Sequence, residues 1–240
     1  NLLNFNFHIE KGGRIGLFNS YRADGFCEDG QTLIMGIDGD RVHAGPNLWV
    51  GLACYQYMLL SGDCTFFPLC LEIVKWSIHK LQHFLTENGE RGGISMGFGW
   101  GADWQRVYST ENNADYYALL NIIEHCYCEH SFAREIFDKQ GLQLHEVQRE
   151  KQGIEEWFRN VIYDAGHRFL STGFNEKGID GTKALDTVTF SILGFGIKKL
   201  LELGINPEHL INNAEKYLTV EVKSGKLRYQ GFDFTDETGA

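Results

Sequence analysis

Acidic and aromatic side chains gather in a glycine-rich segment that covers residues 92–117. Glu111 lies just before a predicted helix, where free backbone N–H groups and the positive end of the helix dipole favour an anion. Asp103 lies earlier in the segment, among glycines and tryptophans that permit a ligand to approach closely. Hydrolysis of a glycosidic bond needs two carboxyl groups, one protonated and one ionised, across the scissile bond. These residues therefore predict Glu111 as the acid or base, with Asp103 as a candidate partner.

Further carboxylates occur at places that correspond to Glu111. Asp236 and Glu237 are predicted to stand in the first turn of a further inner helix, so this pair is the second candidate for the partner of Glu111. Asp186 occupies the corresponding place in the preceding unit, but an acidic residue there is also a good helix cap. We interpret Asp186 as a cap.

The aromatic side chains of the same segment fit a surface that stacks on sugars. Apolar ring faces match the C–H faces of pyranoses, while neighbouring amides and carboxylates bind hydroxyl groups. A large core is the alternative use of so many aromatic residues, and turn formation is the alternative for the acid at position 38. The predicted substrate-binding residues are Trp100, Trp104, Tyr108, Asn112, Tyr116 and Asp38.

Other kinds of chemistry find less support in the residues. There is no Gly-x-Ser-x-Gly nucleophile elbow, and the Gly97–Gly101 stretch lacks the strand and spacing of a dinucleotide site. On a helix, the histidines and cysteines of residues 125–130 fall into two pairs on different faces, and neither pair completes a four-ligand metal site. We predict no metal and no cofactor, with the six cysteines as structural thiols.

The elements that must position these residues form a long repeat. Each unit consists of a glycine- and aromatic-rich loop, an apolar inner helix and a more charged outer helix. Apolar spacing, prolines at helix starts and glycine stops predict inner and outer helices in alternation. The predicted helices cover residues 46–61, 67–86, 113–129, 144–164, 187–203 and 207–220, with short strands at 32–37 and 227–229. The fold class is therefore all-α, an (α/α) array of helical hairpins.

Composition limits the range of partners. The chain has 240 residues, 43% of them hydrophobic, which is enough for one domain with a sizeable core. A formal charge of −10 without a basic run argues against a nucleic-acid partner. No stretch of the sequence is long and apolar enough to cross a bilayer.

The chain resembles the six-hairpin glycosidase superfamily of (α/α)6 toroids in three features. These are the Ser-Thr-Glu-Asn-Asn-x-Asp-x-Tyr segment that begins at Ser109, the Trp/Gly-rich loops and the alternating helices. The resemblance is sharpest over residues 92–120. It implies a funnel at the N-terminal ends of the inner helices, acidic catalysis and an oligosaccharide or polysaccharide substrate. It also favours a secreted or periplasmic location, with the cytoplasm left open.

Three units and the start of a fourth suggest an incomplete ring within one domain, 1–240, with further residues expected after Ala240. An incomplete ring should expose the apolar flank of its last inner helix. Two alternatives to hydrolysis stay open. A lyase or epimerase on the same fold would use tyrosine and histidine, for which Tyr108, Tyr116, His43 and His167 are available. A helical-repeat module would bind a glycan or protein without chemistry.

Overall fold

The computed structural model describes residues 9–10, 13–14, 16–17, 21–26, 33–35, 41–86, 89–98 and 104–236. Within these ranges the α-helices are Ala44–Ser61 (α1), Phe67–Lys80 (α2), Thr110–Glu129 (α3), Ser131–Gln140 (α4), Leu144–Trp157 (α5), Leu185–Glu202 (α6) and Pro207–Leu218 (α7). The strands are Ile9–Glu10 (β1), Gly13–Arg14 (β2), Tyr21–Phe26 (β3), Leu33–Met35 (β4), Val42–His43 (β5), His83–Leu85 (β6), Arg91–Ile94 (β7), Gly97–Phe98 (β8), Tyr108–Ser109 (β9), Tyr163–Asp164 (β10), Phe169–Leu170 (β11), Gly173–Asn175 (β12), Gly178–Asp180 (β13), Thr219–Ser224 (β14) and Leu227–Phe232 (β15).

Three helical hairpins form two layers. The inner helices α1, α3 and α6 lie side by side with α3 in the middle, and they pack against the outer helices α2, α5 and α7 respectively. The protein is thus mostly helical, as predicted. Helix α4 was not predicted; it joins α3 to α5 and buries only Ala133 and Phe137. None of the helices in the described ranges is long and apolar enough to span a bilayer.

The prediction of an all-α fold is incomplete because the long loops contain short antiparallel strands. Pairing satisfies backbone groups that a loop would otherwise leave without partners. The predicted strands at 32–37 and 227–229 overlap β4 and β15. Helix α2 ends at Lys80, earlier than predicted, because Leu81 adopts an extended backbone and leads into β6. A β-hairpin follows each outer helix: β6–β7 after α2, β10–β11 after α5, and β14–β15 after α7.

Each unit is locked to the next at the start of its inner helix. The residue before the helix pairs with the following loop: His43 with Gly97, Ser109 with Gly173, and Ala184 with Thr235. The N–H of the first helical residue then donates to the carbonyl one residue earlier in that loop, at distances of 2.7 Å for Ala44, 2.9 Å for Thr110 and 3.1 Å for Leu185. The same two-part contact therefore defines equivalent residues in all three units.

Two buried asparagines hold the loops against the inner helices. Asn113 accepts the Ile94 N–H at 2.7 Å and donates to the Ile94 carbonyl at 3.0 Å. Asn47, at the equivalent place in α1, makes the same pair of bonds to Leu17, at 2.8 and 3.0 Å. The repetition shows that these amides serve the architecture of the loops.

The core lies between the inner and outer layers. Large side chains such as Leu119 and Trp157 are completely buried there. Helix α6, whose backbone is kinked at Gly196, presents apolar side chains to solvent: Leu193, Ile197 and Leu201 are 79%, 63% and 54% exposed. Within the described residues, one side of α6 is therefore apolar and open to solvent.

Candidate active site

The candidate site lies where the first turns of the three inner helices meet. When the helices are aligned on their shared contacts, the second residues are Gly45, Glu111 and Asp186. The sixth residues are Trp49, Asp115 and Phe190. Residues four apart lie on one face of a helix, so both sets converge on the same end of the array. They bring together three carboxyl groups and two aromatic rings.

Asp115 is the most buried of the three acids. It is 5% exposed, and its Oδ2 atom has no hydrogen-bond partner. Burial, reinforced by the nearby charge of Glu111, raises the pKa of Asp115 to about 7, and a hydrogen bond with the Trp49 side chain acts against this rise. An acid in this environment holds a proton near neutral pH, as a general acid must.

Glu111 and Asp186 form a carboxyl pair across the interface of α3 and α6. Burial raises the pKa of Glu111, followed by the charge of Asp186 and by a side-chain hydrogen bond between the two groups. Asp186 also accepts the Thr187 N–H at 2.6 Å at the N-terminal end of α6. The pair therefore combines one group that favours its proton with one that is placed to accept hydrogen bonds.

The interpretation of Asp186 as a helix cap is wrong. The N-cap of α6 is Ala184, whose side chain cannot accept a hydrogen bond, and Asp186 lies inside the first turn. Its carboxylate is directed to its own turn and to Glu111. The sequence correctly predicted that Asp186 occupies the position in its unit that corresponds to Glu111. The helix-cap interpretation did not predict that the two carboxyl groups are neighbours.

The predicted equivalence of Asp236 and Glu111 is also wrong. The bridge between Ala184 and Thr235 aligns Asp236 with Phe98 and Phe174, which follow the corresponding bridges and precede the next inner helix by about a dozen residues. Asp236 accepts the Lys183 N–H and pairs with its Nζ, each at 2.8 Å. Although partial burial opposes it, these bonds hold the pKa of Asp236 below its usual range. Asp236 ties the fourth loop to the entry of α6.

Two predicted substrate-binding residues of α3 are buried. Tyr116 is completely buried, and burial followed by the charge of Glu150 raises its pKa, so its ring cannot be a sugar platform. This prediction is wrong because Tyr116 follows Asp115 by one residue and therefore lies on a different face of α3. Asn112 is 8% exposed and packs tightly against Gly45 at the interface of α1 and α3.

The other predicted aromatic residues in the described ranges are half-buried. The Tyr108 ring packs edge-on against Phe84 and Phe174, at centroid distances of 5.6 and 6.5 Å. Trp104 lies in a short 3-10 helix and contacts His43 at 4.9 Å, in a T-shaped arrangement. The structure therefore places both rings in aromatic clusters. The remaining predicted residues, Trp100, Asp103, Asp38 and Glu237, lie outside the described residues.

Two of the four groups predicted for a lyase or epimerase, His167 and Tyr116, are engaged elsewhere. The exposed His167 ring pairs with Asp164 at 2.6 Å, and Tyr116 is enclosed in the core. In the described part of the chain, no group of three or more His, Cys, Asp or Glu side chains is arranged to hold a metal ion.

Comparison with known proteins gives a likeness in fold. The structure is similar to that of the glycoside hydrolase family 76 mannosidase Bt3792 from Bacteroides thetaiotaomicron VPI-5482, with a TM-score of 0.48 and 10% sequence identity. The match covers 80% of this chain and 49% of that one, so this chain spans about half the length of that structure. No family model and no curated protein matches the sequence.

Proposed function

We propose that the protein binds an oligosaccharide or polysaccharide at the N-terminal ends of α1, α3 and α6 and hydrolyses a glycosidic bond by general acid/base catalysis. The observation that carries the proposal is the cluster of Glu111, Asp115 and Asp186, in which the acids differ in their environments. Carboxyl groups with separated proton affinities are what this reaction requires. The array as a whole would form part of an (α/α) toroid around the cleft.

Asp115 is the proposed general acid. Its buried carboxyl group retains a proton near neutral pH and would donate it to the oxygen of the leaving sugar. The proposed base is the hydrogen-bonded pair of Glu111 and Asp186. An ionised carboxylate of this pair would orient a water molecule and accept its proton as the water attacks the anomeric carbon.

The assignment fixes the direction of the pH dependence. Hydrolysis should decline as the pH rises through the pKa of Asp115, about 7, because the acid loses the proton that the leaving group needs. Replacement of Glu111 by glutamine removes a charge that raises this pKa. Any residual activity of Glu111→Gln should therefore decline at a lower pH than the activity of the wild type.

The test is a mass-spectrometric digest of a panel of neutral and uronate-containing glycans. Wild-type protein is compared with Glu111→Gln, Asp115→Asn and Asp186→Asn. Loss of a general acid or base lowers turnover by about 100- to 10,000-fold, while the amide should leave the fold and most binding intact. Asp138→Asn, an acid-to-amide change on the exposed surface of α4, is the matched control and should retain activity.

Each outcome of the digest decides between the functions considered. Hydrolysis products from the wild type and the control, but not from the site variants, would support the proposal. Unsaturated products from a uronate-containing glycan would overturn it in favour of a lyase. Glycan binding without any product would overturn it in favour of a binding module, and in that case the Glu111→Gln change should alter affinity alone.

A further inference from the structure

Trp49 occupies the α1 position that is equivalent to Asp115 in α3 and Phe190 in α6. Its ring meets the Phe190 ring in a T-shaped contact, with centroids 5.8 Å apart and planes at 88°. Because α1 and α6 flank α3 on opposite sides, this contact places the two rings over the α3 end of the site. Half of the Trp49 side chain remains exposed, although it stands in the first turns of an inner helix. The ring therefore has an aromatic neighbour and remains half exposed to solvent.

Trp49 also contacts the most buried acid of the site. The Trp49 side chain lies within reach of the Asp115 carboxyl group and lowers its pKa, and the indole N–H can only donate. The Asp115 Oδ2 atom is buried and has no hydrogen-bond partner. The other titratable groups at this point are Glu111 and, beyond it, Asp186, both of them acidic. Trp49 is thus a neutral donor at the edge of an acidic cluster.

We propose that Trp49 acts at this site in two ways: its indole N–H positions the carboxyl group of Asp115, and its open ring face stacks on a pyranose ring of a neutral glycan. The second part depends on the proposed glycan site, whereas the first concerns this chain alone. An indole suits both, because it combines a large apolar face with a single donor at its edge. A neutral sugar follows from the acidic cluster, which disfavours anionic sugars.

The positioning role is tested without a substrate. The pKa of Asp115 is measured by carboxyl-selective ¹³C NMR in the wild type and in Trp49→Phe, with Asp115→Asn to assign the signal. Phenylalanine retains an aromatic ring and removes the donor, so the Asp115 titration should move to higher pH. Trp76→Phe is the matched control, because the Trp76 N–H is buried without a partner and should not affect Asp115. An unchanged Asp115 titration in Trp49→Phe would overturn the positioning role.

The stacking role is tested with maltohexaose, cellohexaose and mannohexaose as probes. Binding is followed by calorimetry in the Glu111→Gln background, so that no probe is cleaved. Trp49→Phe should bind a recognised probe within about twofold of the parent, whereas Trp49→Leu should bind it roughly five- to tenfold more weakly. Equal affinity of the Leu and Phe variants would overturn the platform. Absence of binding by all three neutral probes would overturn it too.

Failure of the proposed function can be separated from failure of this inference. If the Asp115 titration responds to Trp49→Phe and no glycan is hydrolysed, the positioning contact stands and the glycosidase assignment falls. If the panel identifies a cleaved glycan, kinetics provides a further readout. Trp49→Phe should then move the upper limb of the pH profile to higher pH at nearly constant KM, and Trp49→Leu should raise KM. A Trp49 with only a structural role would produce neither change.

Discussion

Replacement of Asp115 by asparagine should stabilise the protein at alkaline pH while it removes the proposed general acid. The folded protein favours the protonated form of Asp115, because the pKa rises from an ordinary value of 3.8 to about 7. The stability associated with this proton is fully present below pH 3.8 and is lost as the pH rises through 7. Asparagine has no proton to lose, so the variant avoids that loss.

The magnitude follows from the two pKa values. The difference corresponds to an upper limit of about 4 kcal/mol at pH above 7, since one pKa unit is worth about 1.4 kcal/mol. Relaxation and water penetration around an ionised carboxylate reduce such values. We expect Asp115→Asn to raise the free energy of unfolding by about 2–4 kcal/mol at pH 8.5 relative to the wild type. The difference should shrink steadily as the pH falls to 4.

The assay is urea unfolding followed by circular dichroism, at several pH values between 4 and 8.5. Asp63→Asn is an acid-to-amide control of opposite sign. Hydrogen bonds from Thr65 and Tyr57 hold the pKa of the exposed Asp63 carboxyl below its usual value. The stability it contributes is present above its unfolded pKa and is lost at acid pH. Asp63→Asn should therefore destabilise the protein more at neutral pH than at pH 4.

Two results would refute the reasoning about Asp115. One is a stability difference for Asp115→Asn that is the same at every pH, which would show that ionisation of this group does not oppose folding. The other is a loss of stability at pH 8.5, which would mean that the carboxylate makes favourable contacts in its charged form. Glu111→Gln adds a second check. Because the charge of Glu111 raises the pKa of Asp115, this variant should reduce the pH-dependent gain from Asp115→Asn.

The framework around the site gives three further predictions, each measured by urea unfolding at pH 7. Glu150→Ala should lower the free energy of unfolding by about 3–5 kcal/mol, because it removes the fully buried carboxylate that pairs with the His83 ring and with the Arg91 guanidinium. A loss below 1 kcal/mol would contradict this expectation. Asn113→Ala removes two buried hydrogen bonds and one partly buried one and should cost about 3 kcal/mol, so a neutral effect would mean that the loop is held by other contacts. Gly194→Ala should cost about 1–3 kcal/mol, because a Cβ would stand 2.6 Å from the Ala114 carbonyl oxygen and force α6 away from α3; wild-type stability would show that the helices separate easily.

The sequence predicted most of the helices because their apolar spacing and stop signals are strong. The predicted helices that begin at Leu144 and Pro207 do begin there, and the inner helices begin within a few residues of their predicted starts. Helix α4 escaped prediction because a short helix with two buried residues has little apolar periodicity. Helix α2 was predicted too long because Leu81 and Leu85 continue its spacing although the chain has already become extended. The apolar spacing of a segment does not reveal where strand pairing, here that of β6 with β7, ends a helix.

The site was predicted in part, and the missing part depended on the alignment of the units. Glu111 was identified from its place before a helix, and its neighbours in space are another acid of α3 and one of α6. Asp115 follows Glu111 by four residues, and this spacing predicts that both lie on one face of the helix. Asp115 was not predicted as a site residue, because a single acid in a largely buried helix has the same sequence pattern as a structural polar residue. Its contact with Trp49 involves α1, more than sixty residues away, and no local signal reports that contact.

The alignment of the units also explains why Asp236 was wrongly predicted to be equivalent to Glu111. Asp236 resembles Glu111 in being an acid that follows a glycine- and aromatic-rich loop, but the backbone contact at the start of the described inner helices assigns Asp236 to a loop. In a repeat protein the contacts between neighbouring units recur in every unit, so they identify equivalent positions. A carboxylate does not, because acidic residues occur at many different positions. Units aligned on these contacts bring Trp49, Asp115 and Phe190 to one level. The same backbone contact that joins the hairpins therefore also determines which side chains meet in the candidate site.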